Sequence, residues 1–278
     1  MKKTVLITGT SSGFGKAAAK LFATNGWNVV ATMRNPGEQT DLVDTNDVMV
    51  TRLDVQDRDS IGKAIEAGIA RFGTIDTLIN NAGFGLFGVF EATSTEKIRE
   101  QFDVNVFGVM DVTRAILPYF RKNKSGLIIN VSSGAGIFTL PMLSLYCASK
   151  FALEGFSESL SYELASQNII VKIVEPGGVI STNFGKRSGE EAAQNTSIAD
   201  YAAFVTRTNA VFAGLRGERR ATEADVAKVI FEAATDGTNQ LRYVATADIV
   251  PLVKARRETS EKEYIELMRA RFTQRKST

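Results

Sequence analysis

Seven short apolar runs recur along the chain, each separated from the next by a longer mixed segment. They cover residues 4–7, 28–31, 48–53, 77–79, 127–131, 169–174 and 241–245. Most are continuously apolar. A strand with one wet face alternates apolar and polar residues; a strand covered on both faces, as in a parallel sheet between helices, does not. Several intervening segments carry helical spacing. One places Phe14, Ala17, Ala18, Leu21 and Phe22 on a single face and ends at Gly26, a C-cap residue type. A second, from 96 to 122, aligns Ile98, Phe102, Val109, Ile116 and Phe120. A third follows Tyr146, with Leu153, Phe156, Leu160 and Leu164. Strand and helix in alternation predict the α/β class: a doubly wound parallel sheet of about seven strands with helices on both faces. The 278 residues, 44% of them hydrophobic, suit one large domain, 1–278. No repeat, low-complexity tract or clear linker divides it. The patterning is weakest from 181 to about 218, which predicts a variable substrate lobe over the sheet, residues 181–220.

Composition removes several chemistries. A net charge of +2 gives no bulk argument for nucleic acid or an anionic membrane as partner. The one cysteine, Cys147, excludes an internal disulfide framework and fits a reducing compartment. Histidine is absent. That removes Ser-His-Asp and Cys-His nucleophiles and imidazole metal sites, so no metal is expected. Proton chemistry falls to Tyr, Lys, Asp, Glu or Ser. The apolar run near the N-terminus spans about four residues, against roughly 7–15 for the core of a signal peptide. Residues 125–149 carry no charge, but glycines, Asn130 and Pro141 break them up. A cytoplasmic protein without a membrane span is expected.

Thr8-Gly9-Thr10-Ser11-Ser12-Gly13-Phe14-Gly15 lies between the first strand and the first helix. Glycines there permit a tight turn and close approach to a pyrophosphate resting on the helix N-terminus. An ordinary strand-to-helix turn would look similar, and the spacing departs from G-x-G-x-x-G. The second strand ends in Met33-Arg34-Asn35 without an acid. An acid would bond the 2′-hydroxyl of NAD, whereas Arg34 suits the 2′-phosphate of NADP. NADP(H) is therefore expected over NAD(H), with a solvated Arg as the plain alternative. Asn80-Asn81-Ala82-Gly83, Ser132-Ser133 and Pro176-Gly177-Gly178-Val179 all follow strands, where ligands bind in open α/β sheets. Turn chemistry alone explains each singly. Asn105 interrupts an apolar stripe, and a local back-bond or a buried water would satisfy it. Tyr146 and Lys150 stand one helical turn apart. A phenol has a pKa of about 10. A charge at ~4 Å is worth about 4 kcal/mol at an effective dielectric of ~20, so the ammonium is expected to lower it. Such a pair is more often a surface contact.

Together these residues resemble the short-chain dehydrogenase/reductase family, in its shorter-chain branch. The carrying motifs are Thr8-Gly9-x-x-x-Gly13-x-Gly15, Asn80-Asn81-Ala82-Gly83, Asn105, Ser133, Tyr146-x-x-x-Lys150 and Pro176-Gly177. The order and spacing match over about residues 3 to 245, and the unusual glycine spacing is the family's own. The tract from Tyr146 to Gly155 is similar to hydroxysteroid and retinol dehydrogenase-like members. The resemblance implies a Rossmann-type domain and an NADP(H)-dependent oxidoreductase acting on a carbonyl or secondary alcohol. It implies Tyr146 as general acid or base, with Lys150 lowering its pKa and holding the nicotinamide ribose. Ser133 would polarise the substrate oxygen, and Asn105 would hold a water linking Lys150 to solvent. The implied cofactor contacts are Gly9, Ser11, Ser12, Gly13, Phe14, Gly15, Arg34, Asp54, Val55, Asn81, Ala82, Gly83, Tyr146, Lys150, Pro176, Gly177, Val179 and Thr182. A non-catalytic NAD(P) sensor and a nucleotide-sugar epimerase or dehydratase are the alternatives. The first commonly loses the Tyr, Lys or Ser kept here; the second is longer and spaces its glycines differently.

Apolar residues flank the expected site: Phe84, Leu86 and Phe87, the stretch 137–143, and Phe184. They predict a small lipophilic substrate, with packing of the lobe as the plain alternative. Lys186 and Arg187 are the nearest basic pair. The tail, 249–278, is expected to be helical, with Tyr264, Ile265, Met268 and Phe272 on one face. A cap on the body is the simplest reading, a lid or subunit contact the alternatives. A homo-oligomer is expected by resemblance, a dimer rather than a tetramer, joined through the helices that carry Asn105 and Tyr146.

Overall fold

A computed structural model describes residues 2–37, 41–179, 198–218 and 221–273. Seven strands are present: β1 (Thr4–Thr8), β2 (Asn28–Met33), β3 (Val48–Arg52), β4 (Thr77–Asn80), β5 (Gly126–Val131), β6 (Ile169–Glu175) and β7 (Arg242–Val244). Each apolar run of the sequence forms one of them. All neighbours pair in parallel, in the order β3-β2-β1-β4-β5-β6-β7. The order reverses between β1 and β4, so the loops after these two strands diverge and leave a crevice.

Helices cover both faces. They are α1 (Gly13–Thr24), α2 (Arg58–Phe72), α3 (Thr95–Phe102), α4 (Gly108–Asn123), α5 (Ser144–Ala165), α6 (Ala202–Glu218), α7 (Glu223–Thr235), α8 (Val250–Glu258) and α9 (Glu261–Thr273). Strand residues divide between two cores with a period of two. Val5, Ile7, Val29 and Ala31 pack with Phe22 of α1 and Ile230 of α7. Leu6, Val30, Leu78 and Ile128 pack on the other face with Ile61 of α2, Ile116 and Phe120 of α4, and Leu160 of α5. This double burial is why the runs are continuously apolar.

Two helical readings change. The periodic segment 96–122 is not one helix: a π-helical turn, Asp103–Phe107, separates α3 from α4. A turn widened by one residue re-aims the side chain within it while leaving the flanking apolar spacing intact. Helix α2 was not singled out by spacing. Its ends were nevertheless marked: the Asp57 carboxylate accepts from Ser60 N–H, and Gly73 ends it at φ 80°.

The tail adds a third cluster. Leu252 and Val253 of α8 and Tyr264, Met268 and Phe272 of α9 pack on Ile137 and Phe138. The Phe212 ring of α6 stands 5.5 Å from that of Phe87 and 6.2 Å from that of Phe272. The tail is thus a cap on the body. No helix among the described residues is long and apolar enough to cross a membrane.

Phe120 is fully buried between α4 and the sheet. Phe120→Ala is expected to cost about 3–5 kcal/mol, read as a lower urea midpoint at unchanged slope. Val43→Ala, at a 70% exposed position, is expected to stay within about 0.5 kcal/mol.

Candidate active site

The loops after β1 and β4 are bolted together. Asn81 Nδ2 donates to the carbonyls of Thr8 (2.9 Å) and Gly9 (3.0 Å), and Thr8 Oγ1 accepts from Asn81 and Ala82 N–H, each at 3.0 Å. Gly9 has φ 71°, and a Cβ there would lie 2.9 Å from Ala82 Cα. A Cβ on Gly15 would overlap Asn81 Nδ2 and the Gly9 carbonyl. The glycine turn therefore has no room for a side chain at Gly9 or Gly15. The N-terminus of α1 faces it. Ser12 is extended and makes no side-chain cap bond, and the first turn holds no acid. Free amide donors with the positive end of the helix dipole suit a pyrophosphate, so these residues fit a dinucleotide.

The remaining cofactor candidates spread along the same edge. Arg34 is exposed at the end of β2. Asp54 follows β3, its carboxylate accepting from Gln56 N–H. Val55 is buried, and a Cβ on Gly108 would lie 2.7 Å from its Cγ2. Its side chain is thus a packing group, leaving only its backbone for a ligand. The Pro176 carbonyl accepts from Gly134 N–H at 2.8 Å, and Gly177 N–H donates to Thr246 Oγ1 at 2.8 Å. Val179 is buried. Thr182, Phe184, Lys186 and Arg187 lie outside the described residues.

Ser133, Tyr146, Lys150 and Asn105 gather at the ends of β4 and β5. Ser133 Oγ accepts from Ala135 N–H at 3.1 Å and donates to the Pro176 carbonyl at 3.5 Å. It also hydrogen-bonds the Tyr146 side chain. Burial pushes the Tyr146 phenol up to about 12, against the smaller opposing effect of Ser133. The expected lowering by Lys150 is therefore reversed in the protein alone. Lys150 Nζ lies 5.8 Å from the Tyr146 ring centroid and donates to the Val131 carbonyl at 2.9 Å. Burial pulls Lys150 itself down to about 8. Desolvation disfavours the charged form of both groups and is the largest influence on each.

Asn105 sits in the π-helical turn and is buried. Its side chain exchanges two bonds with the Phe84 backbone, at 3.0 Å from N–H and 2.8 Å to the carbonyl, and donates to Ser149 Oγ at 3.2 Å. Neither a back-bond within its own helix nor a water is needed to satisfy it. A Cβ on Gly83 would stand 3.1 Å from Asn105 Oδ1 and 3.8 Å from Lys150 Nζ, so this turn touches both. Sequence reasoning missed two supports. Ser149 also donates to the Tyr146 carbonyl at 2.8 Å. Gln101 holds the loop after β4 through Leu86 N–H (2.8 Å) and the Phe84 carbonyl (2.7 Å). Its place four residues before Asn105 was the available signal.

A cleft of about 450 Å³ is lined by Gly88, Val89, Phe90, Glu91, Met142, Ser144, Tyr201 and Phe204, with Met142 and Ser144 in the stretch that leads into Tyr146. Phe84, Leu86, Ile137 and Phe138, expected as walls, are instead buried in the body.

Residues 3–193 match the family model for short chain dehydrogenase. The chain is a short chain dehydrogenase. It is 40% identical over 220 residues to an uncharacterized oxidoreductase of Schizosaccharomyces pombe, covering 78% of this chain and 89% of that one. It is 37% identical over 193 residues to retinol dehydrogenase 8 of Bos taurus, covering 66% and 61% respectively. A short chain dehydrogenase/reductase of Burkholderia phymatum, solved in complex with NAD, superposes with a TM-score of 0.79 at 26% identity, covering 96% and 95%. A short chain dehydrogenase with this sheet order and glycine turn is an oxidoreductase of the NAD(P)-binding kind.

The bolt between the loops predicts how the turn fails. Gly15→Ala drives a methyl into Asn81 and the Gly9 carbonyl. Dinucleotide affinity is expected to fall at least about tenfold, roughly 1.4 kcal/mol, in a fluorescence titration, while circular dichroism stays native.

Proposed function

We propose that the protein is an NADP(H)-dependent oxidoreductase that interconverts a lipophilic carbonyl compound and its secondary alcohol. The observation that carries this reading is the convergence of Ser133, Tyr146 and Lys150 beside a glycine turn with no room for a side chain at Gly9 or Gly15. The bound nicotinamide supplies or accepts the hydride. Tyr146 holds the proton: a phenol kept protonated by burial is a donor to an oxygen on which charge develops during carbonyl reduction. Ser133, bonded to the same phenol, donates to that oxygen and fixes its place. Lys150 carries the nearby positive charge, which favours the phenolate left when the proton departs. Asn105 keeps the loop after β4 pressed against the helix that bears the pair.

The choice of NADP(H) rests on the end of β2, where exposed Arg34 stands among Met33 and Asn35 without an acid. The lipophilic substrate rests on Val89, Phe90, Met142 and Phe204 in the cleft wall. Likeness to a retinol dehydrogenase agrees with it. We also read the protein as a cytoplasmic homodimer. Phe107, at the end of the π-helical turn before α4, and Phe151 and Tyr162 of α5 are large exposed side chains on the expected helices, and the lone buried cysteine suits a reducing compartment.

Oxidation of NADPH and NADH against a panel of lipophilic carbonyl compounds tests the whole reading. Tyr146→Phe is expected to lower kcat by about 10²–10⁴; undiminished turnover would overturn the proton assignment. Arg34→Ala is expected to raise KM for NADPH about tenfold or more and leave that for NADH nearly unchanged. An NADH preference untouched by that change would sink the cofactor choice.

A further inference from the structure

Behind the Tyr146–Lys150 pair lies a buried charge cluster that none of the steps above uses. Glu154 stands one helical turn past Lys150 on α5 and is 6% exposed; Glu175, the last residue of β6, is fully buried. Arg242 of β7 joins them, with Nε 3.0 Å from Glu154 Oε2 and 3.5 Å from Glu175 Oε1. Its Nη2 reaches Glu158 Oε2 at 2.5 Å. Arg257 of α8 adds a second cation, 2.8 Å from Glu175 Oε1. Glu154 Oε1 and Glu175 Oε2 have no complete hydrogen bond among the described residues.

The cluster meets the site at the end of β5. A Cβ on Gly136 would stand 2.9 Å from both Glu154 Cγ and Ser132 Oγ, and 3.1 Å from the Lys150 carbonyl. Glu154 thus lies against Ser132, while Lys150 Nζ holds the carbonyl of Val131. Lys150 and Glu154, on successive turns of α5, thus approach successive residues at the end of β5. The next residue is Ser133.

We propose that Glu154 is a positioning residue for the proton-handling pair: held by Arg242 over the end of β5, its carboxylate is the counter-charge that keeps Lys150 an ammonium seated on the Val131 carbonyl. The proposal rests on Tyr146 and Lys150 acting as described under the proposed function. The charged groups facing Glu154 are Lys150 and Glu158 on its own helix, Glu175 on β6, Arg242 on β7 and Arg257 on α8. Burial pulls Lys150 down to about 8, and Glu154 is the charge acting against that pull. Burial raises Glu154 too, opposed by Ser132, Arg242 and Arg257. Glu175 is pushed up to about 7 by burial and by Glu154. Arg242 and Arg257 thus favour the carboxylate of Glu154 against its burial.

The sign of the effect follows. Neutralising Glu154 removes the counter-charge, so Lys150 loses its proton at lower pH. In carbonyl reduction with NADPH, the alkaline limb of kcat/KM reports that loss. Glu154→Gln is expected to move the limb down by roughly one pH unit, about a five- to tenfold loss of kcat/KM at pH 8.5. The pH dependence of the NADPH Kd, read by fluorescence, is expected to shift likewise. Glu154→Asp keeps the charge and is expected to restore most of the limb. Arg242→Gln removes the group that holds Glu154 charged over the end of β5 and is expected to move the limb down as Glu154→Gln does; it serves as the second variant should Glu154→Gln not fold. An unmoved limb in Glu154→Gln, with Tm and kcat falling evenly over pH, would make Glu154 a structural residue only and overturn the proposal. A limb that stays or rises in Arg242→Gln does the same. An inactive wild type, or one indifferent to Tyr146→Phe, is instead a failure of the proposed function, and the limb of the NADPH Kd then decides the role of Glu154.

Discussion

Four hydrogen bonds between Thr8-Gly9 and Asn81-Ala82 hold the molecule's working edge together. They cross the one place where strand order reverses, and where the connecting loops run apart. Without them β1 and β4 would still pair within the sheet, but the loops beyond would be free to separate. Everything at this edge refers to that clasp. It compresses the glycine turn, which aims the N-terminus of α1. It also fixes the start of the loop after β4, whose Phe84 backbone then meets Asn105. From Asn105 the chain of bonds passes to Ser149 and so to the backbone of Tyr146. Nucleotide turn and proton-handling pair come from distant stretches of sequence, yet a handful of short bonds connects them.

That connection decides how the pair can be buried. Tyr146 and Lys150 are both withdrawn from water, and desolvation shifts each towards its neutral form. The Val131 carbonyl satisfies one of three ammonium donors. The protein alone thus holds a phenol that gives up its proton reluctantly and an ammonium that gives it up readily. Burial sets this arrangement against the sequence-based expectation of a lowered phenol. The i, i+4 spacing put the groups on one face but could not say how dry that face would be. A proton donor needs its proton in place before the reaction, so the raised phenol is compatible with carbonyl reduction. The reverse reaction needs additional positive charge near the oxygen.

Much of the frame was legible because a residue's burial on both faces leaves a local trace. Each of the seven strands coincides with a short apolar run, most of them continuous, and glycines marked the turn where a side chain would collide. What failed to show was local geometry without a hydrophobic signature. The π-helical turn inserts Asn105 between Phe102 and Val109 without disturbing the flanking apolar spacing, so one helix was expected where there are two. Ser149 gave no sign because its partner Asn105 lies 44 positions away and only tertiary approach brings them together. Glu154 looked like one more charge on a helix, although the sheet end buries it against Ser132 and Arg242. Phe84, Leu86, Ile137 and Phe138 read as cleft walls because apolar composition does not distinguish a wall from a core.

The tail shows how the outer layer bears on the inner one. Arg257 of α8 reaches Glu175 at the end of β6, and the Tyr264 hydroxyl accepts from Thr139 N–H at 3.3 Å. Both attachments fall on segments flanking the site: one beside the buried acids, the other within the stretch that leads from Ser133 to Tyr146. Phe212 bridges from Phe272 of the tail to Phe87 after β4, so the same cap reaches the loop after β4. A charged contact to a buried acid is costly to break because it strands that acid in the interior. Phe212 and Phe272 are buried as well, so losing either ring leaves a cavity. The tail is therefore held twice, by charge at the end of β6 and by buried rings towards the loop after β4. Because the two attachments lie on opposite sides of the segment between Ser133 and Tyr146, the cap braces that segment as well as covering it.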